Sequence, residues 1–250
     1  MGPALYRPGA SPVHRLPPQV KIVCAGVAVL CVVATPRDAF WGFGVHAAAL
    51  GVVWRAAGIG PGWFARRALI ELPFVVLAAV MPFTGGGRRV DVLGLSVSVE
   101  GSLAGWNILA KGTLGVLVSL TLAATTHSGD LVRGFHRLRA PKLVTTIASL
   151  MLRYAEVIAA EAHRMRVARL CRGHDPRFLW QAGATARGVG MLFLRSYERG
   201  ERVHRAMLAR GWTGTMPEPA REPAGAKAWA AGLSPAVTAA VALGVGLCLR

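Results

Sequence analysis

Residues 103–126 read LAGWNILAKGTLGVLVSLTLAATT, twenty-four residues in which Lys111 is the single charge. A helix needs about 20 mostly apolar residues to cross the hydrocarbon of a bilayer. An amphipathic helix on the surface of a soluble domain shows one apolar stripe and one polar face. This stretch is apolar all round, which makes it a membrane span. Working outward, four more runs of the same kind appear: Val20–Thr35, Ala39–Ile59, Ala68–Phe83 and Leu233–Leu249. The first has the length of a signal-peptide core, but further spans follow it, so it reads as an uncleaved span. Several runs are at the short end and reach a full span only with flanking residues.

Composition agrees. Apolar residues make up 53% of the 250-residue chain and charged residues 16%, against about 25% charged in soluble domains. The expected fold class is therefore all-α, a polytopic membrane protein of about five transmembrane helices. Its expected parts are an irregular proline-rich arm at 1–19, spans at 20–126, a cytoplasmic segment at 127–232 and a last span at 233–250. The cytoplasmic segment holds 18 of the 29 lysines and arginines. Basic residues collect in cytoplasmic loops, so the net charge of +17 needs no nucleic acid to explain it. Arg7, Arg15 and Lys21 before the first span, and Arg66 and Arg67 between the second and third, put the N-terminus inside. The 84–102 connection and Arg250 then fall outside. Cys24, Cys31, Cys171 and Cys248 form no CxxC pair, so neither a zinc ribbon nor a redox motif is indicated.

Two long helices are legible in the basic segment. One follows Pro141 and stops at Gly173; the other runs from about Ala182 to Arg210 and stops at Gly211. Proline at a helix start and glycine just past its end are the usual punctuation. In the first helix Leu143–Leu152 is apolar, with a place in the bilayer or along its surface; the second half is amphipathic. In the second, Arg195, Arg199 and Arg202 form a basic stripe, and Glu198 and Glu201 stand four residues before Arg202 and Arg205, the favourable order for helical ion pairs. The helices finish alike, in Cys171-Arg172-Gly173 and Ala209-Arg210-Gly211. A cation in the last turn and a left-handed glycine are ordinary capping, but capping alone does not call for the same pair twice.

These endings resemble the Ala-Arg-Gly signatures of the transmembrane T component of energy-coupling factor transporters, the EcfT/CbiQ family. The first departs from the signature only in Cys171. Ser11-Pro12-Val13-His14-Arg15-Leu16 with Lys21, Leu138-Arg139-Ala140-Pro141, Leu152-Arg153-Tyr154 and Arg195-Ser196-Tyr197-Glu198-Arg199 fit as well. Gly94–Gly101 with Asn107 looks most like the cobalt-type members. The resemblance implies a bacterial inner-membrane coupling subunit of an ATP-driven importer, with cobalt as the first expectation for cargo and nickel or a vitamin as alternatives. Its partners would be two ATP-binding cassette ATPases, a substrate-binding S component and the bilayer, but no nucleic acid. It implies that the six residues of the two endings dock on the ATPases, with Arg153, Arg195, Arg199 and Arg202 supporting the helices. ATP and magnesium would belong to the partners, leaving this chain no cofactor and no catalytic or metal site of its own.

The residues speak against other chemistry. Gly85-Gly86-Gly87 is followed by arginines and not by the Lys-Ser/Thr of a phosphate-binding loop, and no HExxH occurs. His14 and His46 are lone histidines, more in keeping with structural roles than with ligation. Of the charges inside spans, Glu71 and Lys111 are the candidates for a functional role, with snorkelling to an interface as the alternative. A reading of another class, an enzyme acting on an anionic lipid headgroup, would need Glu156 or Glu161 as an acid–base group facing the arginines. A nucleic-acid binder would need exposed aromatics interleaved with the basic stripe, and none is expected there.

Overall fold

The computed structural model describes residues 6–65, 71–86, 88–92, 95–173, 183–214 and 225–248. They form helices apart from one small hairpin. The chain divides into two units, Met1–Gly134 with Glu222–Arg250, and Phe135–Arg221.

In the first unit the prolines of the arm start helices and do not break them. Pro12 opens α1 (Pro12–Arg15), where Ser11 accepts the His14 amide, and Pro18 opens α2 (Pro18–Ala34). Both use the first-turn position, where proline's missing N–H costs nothing. The arm is also tied down. The Arg7 amide donates to the carbonyl of Ala124 at 2.9 Å, and Tyr6 meets His127 edge to face. After α3 (Phe40–Ala57) and α4 (Pro61–Ala65) comes α5 (Leu72–Thr84). The 84–102 connection, read from sequence as a plain loop, contains an antiparallel hairpin: β1 (Arg89–Val92) pairs with β2 (Leu95–Ser98), Arg89 opposite Ser98. Ser98 then caps α6 (Val99–Thr125), accepting the Gly101 amide at 3.1 Å and donating its hydroxyl to the carbonyl of Gly86 at 2.7 Å. α7 (Ser128–Arg137) follows, and α10 (Ala226–Cys248) closes the unit.

Small residues let these helices touch. Gly101 and Gly105 lie one turn apart on α6 and meet α5 backbone to backbone: a Cβ on Gly105 would sit 2.6 Å from the Ala78 carbonyl, and one on Gly101 would strike that of Met81. Gly232 of α10 instead makes room for a side chain, that of Val20 on α2. The apolar interior gathers Ala57, Ile59, Phe64, Leu120 and Ala124. Trp54 stacks on Phe64 and donates its indole N–H to Thr121 at 2.9 Å.

Three charges inside the apolar runs are engaged. Lys111 donates to the carbonyl of Val33 at 2.7 Å, past which α2 offers no amide. Glu71 accepts the Thr113 hydroxyl at 3.0 Å, and Lys21 donates to the carbonyls of His14 and Thr125. A buried polar group costs free energy unless it is bonded, and each of these finds its partner within the unit.

Among the described residues two helices, α6 and α8 (Lys142–Cys171), are long and apolar enough to cross a membrane by length and composition; α2 and α5 are apolar but shorter. The apolar start of α8 thus suits, on composition, either of the places the sequence leaves open, in the bilayer or along its surface. Leu143, Val144, Ile147 and Met151 are all exposed there.

Candidate functional site

The second unit is built on α8 and α9 (Gly183–Ala209). At 1.5 Å per residue their 30 and 27 residues make rods about 45 and 40 Å long. They are fastened to each other by one acid. Glu161 of α8 accepts from Arg195 at 3.0 Å through one oxygen and from Arg199 at 3.0 Å through the other. The two arginines are four residues apart, which puts them on one face of α9. The Arg195 hydrogen bond holds the Glu161 carboxyl below its ordinary range; burial offsets this in part, and the charges of Arg195, Arg199 and Arg164 add to it. Near the start of α9 a second tie forms, Arg169 donating to the Thr185 hydroxyl at 2.7 Å. Gly188 lies beside the Arg169 head group there.

The endings of the two rods have the same backbone geometry. Arg172 is the C-cap of α8, and Gly173 beyond it takes φ +74°. Gly211 takes φ +75° after Arg210. The amides of Gly173 and Gly211 return to the carbonyls of Leu170 and Leu208 at 3.0 and 2.9 Å. At the second ending the Trp212 amide also closes on Met207 at 3.0 Å, completing a Schellman motif, and the Trp212 ring meets His204 edge to face. Only glycine adopts this left-handed conformation without a penalty from Cβ, so each glycine turns the chain away sharply and leaves the arginine at the rim. Cys171, Arg172, Gly173, Ala209, Arg210 and Gly211 are all exposed. Neither Arg172 nor Arg210 has an ion-pair partner among the described residues.

The support residues separate into groups. Arg195 and Arg199 join the Glu161 cluster. Arg202 faces Glu198 at 3.8 Å along α9, and Arg205 faces Glu201 at 3.5 Å, as the four-residue spacing predicts. Arg153 lies exposed on α8 and joins neither cluster. The role of Glu161 as a clamp between helices is not visible in sequence, because the pairing partner is 34 residues away. That clamp also occupies both carboxylate oxygens, which argues against an acid–base role. The lone histidines are structural in form: His14 bonds Ser11 at 2.7 Å and the Arg7 carbonyl at 3.1 Å, and His46 bonds Thr35 at 3.0 Å.

Apolar helices, α6 and α8 among them long and apolar enough to cross a bilayer, are those of a membrane component. Comparison with known proteins agrees. The family profile of CbiQ, cobalt transport protein, matches residues 9–220, and the chain belongs to that family of membrane transport components. It is similar to the cobalt transport protein CbiQ of Rhodobacter capsulatus, 30% identical over 157 residues, covering 60% of this chain and 64% of that protein. It is also similar to the energy-coupling factor transporter transmembrane protein EcfT of Bacillus selenitireducens, 28% identical over 223 residues, 84% of this chain and 82% of that protein. A putative fused cobalt transport protein CbiMQ of Methanocorpusculum labreanum is 24% identical over 164 residues, 62% of this chain and 27% of that protein. The chain thus spans a little under two thirds of the Rhodobacter relative and most of the Bacillus one.

Proposed function

We propose that this chain is the non-catalytic coupling subunit of an ATP-driven importer of the energy-coupling factor type, seated in the bacterial inner membrane. Two ATP-binding cassette subunits bind and hydrolyse ATP with magnesium. An S component captures the cargo, and this chain carries the ATPase movement to it. One observation carries the reading: two long helices present the same Arg-Gly ending, each with its arginine exposed and in no ion pair among the described residues. A guanidinium offers five donors in a planar fork suited to carboxylates, and two equivalent endings suit two copies of an ATPase. The Glu161 clamp makes the helices move as one lever. α2, α3, α5, α6 and α10 are the proposed spans, and cobalt ion is the proposed cargo, as the names of the relatives suggest.

The test is copurification. A tagged chain expressed with its neighbouring genes should bring down an ATPase bearing a phosphate-binding loop and a small membrane subunit. ATP hydrolysis should appear in that complex and not in the chain alone, and cells carrying it should accumulate labelled cobalt in preference to nickel. Hydrolysis by the isolated chain, or recovery of the chain without an ATPase, would contradict the proposal.

A further inference from the structure

Arg139 takes φ +63°, the one positive value outside glycine among the described residues. It sits where α7 ends. The Arg139 amide returns to His136 at 3.0 Å and the Ala140 amide to Phe135 at 3.1 Å, the same pair of bonds that ends α9 at Gly211. That ending, like those of α3 and α8, places glycine at the left-handed position, as Gly58, Gly173 and Gly211 do. A side chain makes this conformation unfavourable, so glycine would build the turn better. Strain kept at one residue points to work done by its side chain.

The surroundings say what that work is. Arg139 and Lys142 are exposed. So are Phe135 at 49%, Leu138 at 37%, Leu143 at 68%, Val144 at 58% and Ile147 at 45%. No acid occurs between Asp130 and Glu156. Large apolar side chains interleaved with cations, without acids, form the pattern of a segment lying in the headgroup layer of an anionic membrane. We infer that Phe135–Ile147 is an interfacial anchor for anionic phospholipid, with Phe135, Leu138, Leu143 and Val144 entering the acyl boundary while Arg139 and Lys142 hold headgroup phosphates. The inference rests on the chain being a membrane component, and it does not depend on how the two arginine endings dock.

The experiment uses the full chain in maltoside micelles doped with phosphatidylglycerol or with phosphatidylcholine of the same acyl chains. The readout is the thermal midpoint as lipid is titrated. Phosphatidylglycerol should raise the midpoint more than phosphatidylcholine does, and high salt should narrow the difference. Arg139→Gly should raise the midpoint in phosphatidylcholine, because the turn relaxes, while reducing the response to phosphatidylglycerol. Arg139→Lys keeps the charge and should keep that response. Lys142→Gln leaves the turn untouched and should reduce it. Combining R139G with K142Q should weaken apparent affinity for phosphatidylglycerol roughly 25- to 30-fold, which is about 1 kcal/mol for each basic residue near an anionic surface. Equal responses to the two lipids in the unmodified chain would overturn the inference, as would a full phosphatidylglycerol response in the double variant. A midpoint lowered by Arg139→Gly would remove the argument from strain. Loss of a copurifying subunit by the double variant, with its lipid response intact, would assign the surface to a protein instead.

Discussion

Replacing Arg172 and Arg210 together with alanine separates docking from capping. Both side chains are exposed, and neither holds an ion pair among the described residues. As a cap, each contributes what a cation gives the negative end of a helix, about 0.3–1 kcal/mol. The double variant should lose no more than about 2 kcal/mol of helix stability and should still insert. If each guanidinium instead enters an acidic site on an ATPase, truncation costs about 2–5 kcal/mol per site, or roughly thirty-fold to several thousand-fold in affinity. The assay is pull-down of the ATPase subunits from detergent, beside cobalt uptake in cells. Either single variant should weaken both, and the double variant should abolish them. Lysine should rescue poorly, since it keeps the charge and loses the fork. Gly211→Ala is the complementary control: it forces a side chain into φ +75° at about 1–2 kcal/mol, re-aiming an arginine that is still present. Near-normal pull-down and uptake in the double arginine variant would refute the assignment of both sites.

Other outcomes follow from the same geometry. Glu161→Gln should loosen α8 from α9, read as faster proteolysis of the second unit with the first unit unaffected. The same clamp should weaken in acid: its carboxyl titrates below the ordinary value, so its contribution is complete above that value and fades as pH falls through the lowered one. Protection from proteolysis that did not change at acid pH would count against the clamp. Gly105→Leu should prevent α5 from seating on α6, because even a Cβ meets the Ala78 carbonyl at 2.6 Å; correctly folded yield should collapse, and a normal yield would show that the close approach is wrong. Cys171 is exposed. In a variant lacking the other three cysteines it should react with an impermeant thiol reagent only after cells are opened, and labelling of intact cells would invert the topology.

Much of this protein is set locally. The apolar run at 103–126, with Lys111 its single charge, makes α6 long and apolar enough to cross a bilayer whatever surrounds it, because no polar face exists to turn toward water. Pro141, Gly173 and Gly211 fix helix limits through φ preferences that act within a turn, which is why the long helices and the repeated Arg-Gly ending are legible in sequence. The pairs of Glu198 with Arg202 and Glu201 with Arg205 follow from helical spacing alone. Other features depend on residues distant in the chain. Glu161 has nothing in its own helix to mark it as the acceptor of two arginines from α9, and the spacing of Gly101 and Gly105 does not say that Ala78 and Met81 lie against them. The arm prolines are ambiguous between breaking and starting a helix; the docking of the arm on the end of α6, through Arg7 and Ala124, fixes where it lies. The strain at Arg139 is invisible in sequence, since an arginine advertises no preference for positive φ. Only the closing bonds from Arg139 to His136 and from Ala140 to Phe135 impose it.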